Sequence, residues 1–228
     1  MKKLLFLICL FSIASRISAQ SESFEGSLVY KKKFYDTAPQ LETYDLYVSI
    51  QLKFTVKGSF SLTELLAEDN LLEGKSYSIL TNSDKKEQTL MATIANKKVA
   101  VKIDTSHFNS SKISKIISSK DTTTRNIAGL TCKSGYALKT SESGTQDSVM
   151  IWYTTSYPSI PYQFDTNAGP GLIVSMQQDA SSYWELSEIK AMKIDPRVFS
   201  IPIDYLPMEQ SELQDFISTL DQLQIEED

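Results

Sequence analysis

The side chains that most often carry out catalysis are scarce in this sequence. His107 is the only histidine, and one of the two cysteines, Cys9, lies in an apolar N-terminal run. A Ser–His–acid triad or a Cys–His dyad would have to use His107, but its neighbours Ser106 and Phe108 provide no motif. We therefore predict no nucleophilic catalytic centre.

The other cysteine, Cys132, lies in a strand-like run beside Leu130. A free cysteine in an apolar run usually packs as a small apolar side chain, whereas a reactive thiolate needs an electropositive and accessible setting. We therefore predict that Cys132 is buried. One cysteine outside the N-terminal run also excludes an intramolecular disulfide in that part of the chain.

Carboxylates are the remaining candidates for catalysis. Glu64, Glu185 and Glu188 lie in strand-like runs, and a glycoside hydrolase needs two acids roughly 5 to 10 Å apart. None of the three carries a signature, so we predict no catalytic residue and keep a secreted glycoside hydrolase as the least favoured alternative. Because the sequence has no zinc pattern, calcium loop or phosphate-cradling glycine loop, we predict neither metal nor cofactor.

The N-terminus has the parts of a secretory signal peptide. Two lysines precede the apolar run Leu4–Phe11, and small residues end the segment at Ala19. This run is too short to span a bilayer, so we expect cleavage after Ala19 and a periplasmic or secreted protein. Removal of the segment would change the formal net charge from −5 to −8. Such an acidic chain has no electrostatic reason to bind nucleic acid, and no transmembrane segment is predicted.

Alternation of apolar and polar residues dominates the rest of the chain. From Leu46 to Val56 every second residue is apolar, which is typical of a half-buried strand. Further strand-like runs follow one another through turn residues without intervening long helices, so we predict a mainly β fold rather than a parallel doubly wound sheet.

Two stretches have helical spacing. Phe108, Ile113, Ile116 and Ile117 predict a short covering helix between residues 105 and 120, and apolar residues at three- and four-residue spacing predict an amphipathic helix near the C-terminus. We accordingly predict a single antiparallel β domain over residues 20–208 and a helix with an acidic tail over residues 209–228. The C-terminal helix would lie on the sheet or bind a protein partner.

The stretch from about Arg125 to Tyr205 carries a family resemblance. Asn126-Ile-Ala-Gly-Leu-Thr-Cys132 is followed by Trp152-Tyr-Thr154, then Pro170-Gly-Leu-Ile173, then Phe199, Ile201, Pro202 and Tyr205. In order and spacing these motifs resemble a family of secreted, uncharacterised Bacteroidota-type envelope proteins. The turn at Pro170-Gly-Leu-Ile173 also resembles that of the related GLPGLI family. This chain has Ala168-Gly169 where that family has Gly-Leu.

The resemblance implies a fold similar to the periplasmic lipoprotein carriers of the LolA/LolB type. These are strongly curved antiparallel half-barrels with short helices over an apolar concave face, and family members have no established activity. Because a fold does not dictate a function, the resemblance leaves the ligand and the partner open.

An apolar sheet face that two short helical stretches cover incompletely would bind an acyl chain or a partner's apolar segment. The leading hypothesis is therefore a non-enzymatic binding protein for a lipid, a lipoprotein or another apolar ligand. The alternative is an envelope scaffold module that binds a protein and no small ligand. The candidate ligand-lining residues share an apolar character and strand positions: Leu46, Val48, Ile50, Leu52, Phe54, Trp152, Leu172 and Val174.

Overall fold

The computed structural model describes residues 24–35, 50–67, 76–94, 96–103, 112–118, 123–140, 146–160, 164 and 170–213. Strands make up most of these residues, which confirms the predicted mainly β fold class. They are β1 (Glu25–Phe34), β2 (Ile50–Lys57), β3 (Phe60–Ala67), β4 (Ser76–Asn82), β5 (Glu87–Ile94), β6 (Lys97–Ile103), β7 (Lys112–Ser118), β8 (Thr124–Ile127), β9 (Leu130–Thr140), β10 (Gln146–Thr154), β11 (Leu172–Gln177), β12 (Ser182–Ala191) and β13 (Leu206–Met208).

The thirteen strands form one sheet in the order β13-β6-β5-β4-β3-β2-β1-β12-β11-β10-β9-β7, and β8 also pairs with β9. All neighbours are antiparallel except β13 and β6, which run parallel, so the sheet is mixed rather than purely antiparallel. Sequential hairpins build both halves of the sheet, and β1 joins them by pairing with both β2 and β12. The strong curvature of a half-barrel stays a prediction.

Glycines set two of the tight connections. Gly58 has φ +58° in the turn between β2 and β3, and Gly129 has φ +80° between β8 and β9. Both angles lie in the left-handed region that glycine adopts without steric cost. In the second turn the Asn126 side chain also accepts a hydrogen bond from the Gly129 backbone N–H at 3.1 Å. These turns make each strand pair a close antiparallel hairpin.

The predicted helix between residues 105 and 120 is wrong where the structure describes it. Residues 112–118 form β7, which pairs with β9, and the register shifts between Ile113 and Lys115. An extra residue at a bulge breaks the alternation of a strand, which explains why the isoleucine spacing imitates a helix. The branched side chains of Ile113, Ile116 and Ile117 also favour strands.

The C-terminal part contains little helix in the described region. Pro196–Phe199 is a 3₁₀ turn whose N-terminal end is capped by Asp195. Residues 210–213 form one helical turn, in which Glu212 Oε2 accepts a hydrogen bond from the Glu209 N–H at 2.8 Å. Residues 214–228 lie outside the described residues, so the remainder of the predicted C-terminal helix stays a prediction.

Among the described residues, buried apolar side chains form four clusters, and the largest has members on β1, β2, β8, β9, β11 and β12. We call this group the central cluster. Its buried members are Phe24, Leu28, Tyr30, Phe54, Val56, Ile127, Cys132, Ile160, Leu172, Val174, Trp184 and Leu186. Two smaller clusters lie around β3 to β6, where Phe199 and Leu213 from the C-terminal part help to cover them.

Candidate functional site

The predicted ligand-lining residues that the structure describes all meet at the central cluster. Phe54, Leu172 and Val174 are buried within it, with at most 4% of each residue exposed. Ile50, Leu52 and Trp152 are half-buried and pack against it. Leu46 and Val48 lie outside the described residues. The sequence therefore identified one contiguous apolar region, although its inner residues are packed core.

The connection between β10 and β11 supplies aromatic cover for the central cluster. The ring of Phe164 lies edge-on to Tyr30 and Phe54, with centroid distances of 5.1 and 5.8 Å. Tyr157 meets Phe24 in the same way at 5.6 Å. Such edge contacts are favourable aromatic geometry. The chain itself therefore packs over part of this face, a role that we had assigned to helices.

This cover is incomplete at the margin of the cluster. Seven large apolar side chains pack against it while remaining half-buried, and they come from β2, β12, β10, the β8–β9 hairpin and the β10–β11 connection. They are Ile50, Leu52, Leu130, Trp152, Tyr157, Phe164 and Ile189. Ligand sites are lined mainly by apolar and aromatic side chains, so this margin is the candidate site.

A row of cross-strand partners runs across the sheet beside the central cluster. Trp152 on β10 pairs with Ser175 on β11, Ser175 pairs with Glu185 on β12, and Glu185 pairs with Lys31 on β1. Directly paired residues share one face of a sheet. The row therefore places a buried carboxylate and a half-buried indole on the same face.

Glu185 is bound by two cationic side chains, and we call Lys33, Arg125 and Glu185 the ion triplet. Lys33 Nζ donates a hydrogen bond to Glu185 Oε1 at 2.5 Å, and Arg125 Nη2 lies 3.1 Å from Oε2. The Glu185 side chain is 7% exposed, against 46% for Lys33 and 47% for Arg125. Although Oε2 is within ion-pair distance, it accepts no hydrogen bond within the described residues. A nearly buried carboxylate thus lies beneath two half-exposed cations.

The contact between Arg125 and Glu185 joins strands that are distant in the sheet. β9, β10 and β11 lie between β8 and β12, and in a flat sheet four steps of about 4.8 Å would separate them by roughly 19 Å. The two side chains nevertheless lie 3.1 Å apart. The sheet between β8 and β12 is therefore not flat at this point, and the side chains of Arg125 and Glu185 meet directly.

Cys132 is buried as predicted, with 0% of the residue exposed. Burial raises the pKa of its thiol; Arg125 opposes this shift, and Glu185 reinforces it. The Sγ atom lies 3.1 Å from the Leu130 carbonyl oxygen, to which the thiol donates a hydrogen bond. Because the protonated thiol is neither exposed nor nucleophilic, Cys132 is a packing residue beside the ion triplet.

The candidate acids do not converge on one site. Glu64 pairs with Lys53 at 2.9 Å, and Glu188 pairs with Lys190, while Glu185 belongs to the ion triplet. Within the described ranges no group of three histidine, cysteine or acidic residues could hold a metal ion, and His107 lies outside them. The geometry therefore offers no support for the hydrolase alternative.

The sequence did not reveal the ion triplet, because Lys33 and Glu185 are 152 residues apart in the chain. Its one signal was the run Lys31–Lys33. This run lies on β1, inside the sheet between β2 and β12, with Lys31 and Lys33 on an exposed face of the strand. A lysine run on an inner strand needs counter-charges, and Glu185 supplies one.

Comparisons with known proteins concern the fold alone. No family model matches the chain, and no curated protein matches it. A solved structure of PNGF-II in space group P21 is similar, with a TM-score of 0.53 and 17% identity over 86% of this chain and 33% of that one. The same protein in space group C2 gives 0.52 and 17% over 84% and 32%. This chain thus spans about a third of PNGF-II.

Neither structure is of a lipoprotein carrier, so the resemblance to the envelope family and to the carriers stays a prediction. At 17% identity the likeness to PNGF-II carries no activity over to this chain. A bilayer-spanning helix is not found in the part of the chain that the structure describes.

Proposed function

We propose that this protein is a non-enzymatic, periplasmic or secreted binding protein whose ligand is a lipid or another apolar molecule. The observation that supports the proposal is the incomplete cover of the central cluster. Ile50, Leu52 and Trp152, all predicted ligand residues, remain half-buried at its margin. An acyl chain in contact with them would remove apolar surface from water, which is worth about 25 cal/mol per Å².

Solvent extraction of the purified protein, followed by mass spectrometry of the extract, tests this proposal. We expect a long-chain amphiphile from the wild-type protein and a loss of it from Leu52→Gln. Leu66→Gln is the matched control, because Leu66 is an exposed leucine on the adjacent strand β3. No amphiphile from the wild type, or equal amounts from both variants, would contradict the proposal.

The second candidate is an envelope interaction module, and exposed apolar side chains near the C-terminus favour it. Between residues 196 and 206 the exposed apolar side chains are Val198, Ile201, Ile203 and Leu206. Ile203 is fully exposed, at 105%. Monomeric proteins rarely expose contiguous apolar patches of this kind without a binding role.

Cross-linking in envelope extracts tests the second candidate. The wild-type protein should give a defined cross-linked product, and Ile203→Ser with Leu206→Ser should abolish it. Met192→Ser, which changes an exposed apolar residue outside this segment, should leave it intact. A product that persists in the double variant would rule out the segment as the binding surface.

A further inference from the structure

We propose that Lys33 and Arg125 bind the carboxylate head group of a long-chain amphiphile whose acyl chain contacts the central cluster. The inference rests on the proposed apolar-ligand function and names the chemical class of that ligand. It requires that the ion triplet adjoin the apolar region, carry spare positive charge, and present unused donors toward solvent.

Adjacency follows from Cys132 and from the row of paired residues. Cys132 is a buried member of the central cluster, and it pairs directly with Arg125 across the β8–β9 hairpin. On the same face as Glu185, Trp152 lies two strands away across Ser175. The triplet thus adjoins the central cluster at Cys132 and Trp152. Tyr30 and Leu52, which pair with each other, lie on the opposite face of β1 and β2 from Lys33, so the proposed acyl chain would contact the cluster at Trp152.

The charge of the triplet matches a single negative head group. Two cations surround one carboxylate, so the group retains one positive charge in a chain whose formal net charge is −5. A ligand carboxylate would neutralise this charge. The exposed Lys31, two residues from Lys33 and on its face of β1, adds to the attraction.

The donors of Arg125 are suited to a second carboxylate. Its contact with Glu185 Oε2 is not a hydrogen bond, and nearly half of its side chain is exposed. A guanidinium has five N–H donors in a planar fork that fits two carboxylate oxygens. Arg125 can therefore stay near Glu185 and still donate to a ligand at its exposed edge.

Calorimetric titration with dodecanoate and with dodecan-1-ol, both below their aggregation concentrations, tests the head-group assignment. The two probes share a chain length and differ in charge. A hydrogen bond to a charged group strengthens binding about tenfold or more, so the wild type should prefer dodecanoate by about that factor. Replacing all three charges together, as Lys33→Gln, Arg125→Gln and Glu185→Gln, should abolish the preference without leaving a buried unpaired charge.

Two further variants keep the experiment decisive. Lys33→Gln alone keeps Arg125 beside Glu185 and should reduce the preference, which covers the case in which the triple variant fails to fold. Lys98→Gln removes a lysine paired with Asp204 elsewhere and should retain the preference.

The outcomes separate this inference from the proposed function. Equal affinity of the wild type for both probes would overturn the head-group assignment and leave the apolar-ligand function standing. An undiminished preference in Lys33→Gln or in the triple variant would also overturn the assignment, and so would an equal loss of preference in Lys98→Gln. Binding of neither probe would overturn both.

Discussion

Arg125 on β8 and Glu185 on β12 lie 3.1 Å apart, although three strands separate β8 from β12 in the sheet. This ion pair links the β8–β9 hairpin directly to β12. It also places a cation at the border of the central cluster, next to the buried Cys132. The stability of the hairpin and the proposed head-group site therefore depend on the same two side chains.

Loss of the Arg125 side chain should destabilise the protein. Arg125→Gln leaves the 7%-exposed carboxylate of Glu185 with Lys33 as its remaining cation. We expect the free energy of unfolding to fall by about 1–2 kcal/mol. This is less than the roughly 3–5 kcal/mol for breaking a fully buried ion pair, because Arg125 itself is half-exposed. Urea unfolding checks this, and Lys98→Gln at an exposed ion pair should be near neutral. Equal stability of both variants and the wild type would show that the Arg125 contact contributes nothing.

Gly171 should tolerate no side chain. A Cβ atom at this position would lie 2.1 Å from the Thr154 carbonyl oxygen, which belongs to backbone and cannot move aside easily. We expect Gly171→Ala to cost about 3 kcal/mol through overpacking. A Cβ at Gly58 would meet nothing within 4 Å, but the backbone there has φ +58°, which is unfavourable for alanine. Gly58→Ala should therefore cost about 1 kcal/mol. Thermal unfolding of the two variants measures the difference, and the reverse order would contradict the packing at Thr154.

Asp179 should make stability depend on pH in the acid range. Burial raises the pKa of Asp179, but hydrogen bonds from the hydroxyls and N–H groups of Ser182 and Ser181 outweigh it and lower the pKa from 3.8 to about 2. Because the folded pKa is the lower one, the carboxylate stabilises the fold fully above the unfolded value of 3.8. Its contribution is lost as the pH falls toward about 2.

Urea unfolding of Asp179→Asn at several pH values checks this sign. The variant should be less stable than the wild type at neutral pH, and the gap should shrink as the pH falls below about 4. Asp147→Asn, at an exposed position on β10, serves as the control. A gap that stays constant with pH would mean that Asp179 acts without its charge.

The Cys132 thiol should react slowly while the protein is folded. It is fully buried and its pKa is raised by that burial, so both access and the thiolate fraction are low. At neutral pH we expect labelling by a thiol reagent far slower than that of a free cysteine peptide. Urea should restore the peptide rate, and Arg125→Gln should accelerate labelling if the ion pair holds the hairpin closed. Labelling of the folded wild type at the peptide rate is the opposing result.

The sequence predicted features that depend on local pattern. Alternation from Leu46 to Val56 correctly indicated a strand over its described part, where β2 begins at Ile50, and the apolar run around Cys132 correctly indicated burial. The same kind of reasoning wrongly predicted a helix between residues 105 and 120. The reason is a bulge in β7, where one extra residue between Ile113 and Lys115 changes the period of the apolar pattern.

Long-range pairing was beyond the reach of local pattern. Lys33, Arg125 and Glu185 come from strands β1, β8 and β12, and only the fold brings them together. The alternation of apolar and polar residues does not show which acidic side chain will pair with a given lysine. The aromatic cover from Phe164 was also not predicted, because its contacts are with Tyr30 and Phe54, which are more than 100 residues away in the chain.

Native mass spectrometry of the protein purified without detergent tests the proposed function most directly. We expect a species heavier than the polypeptide by the mass of one amphiphile. After exchange with added dodecanoate, the excess mass should become that of dodecanoate. Leu52→Gln should lack the heavier species. A polypeptide that shows only its own mass, both as purified and after incubation with dodecanoate and dodecan-1-ol, would contradict the claim that the central cluster binds an apolar ligand.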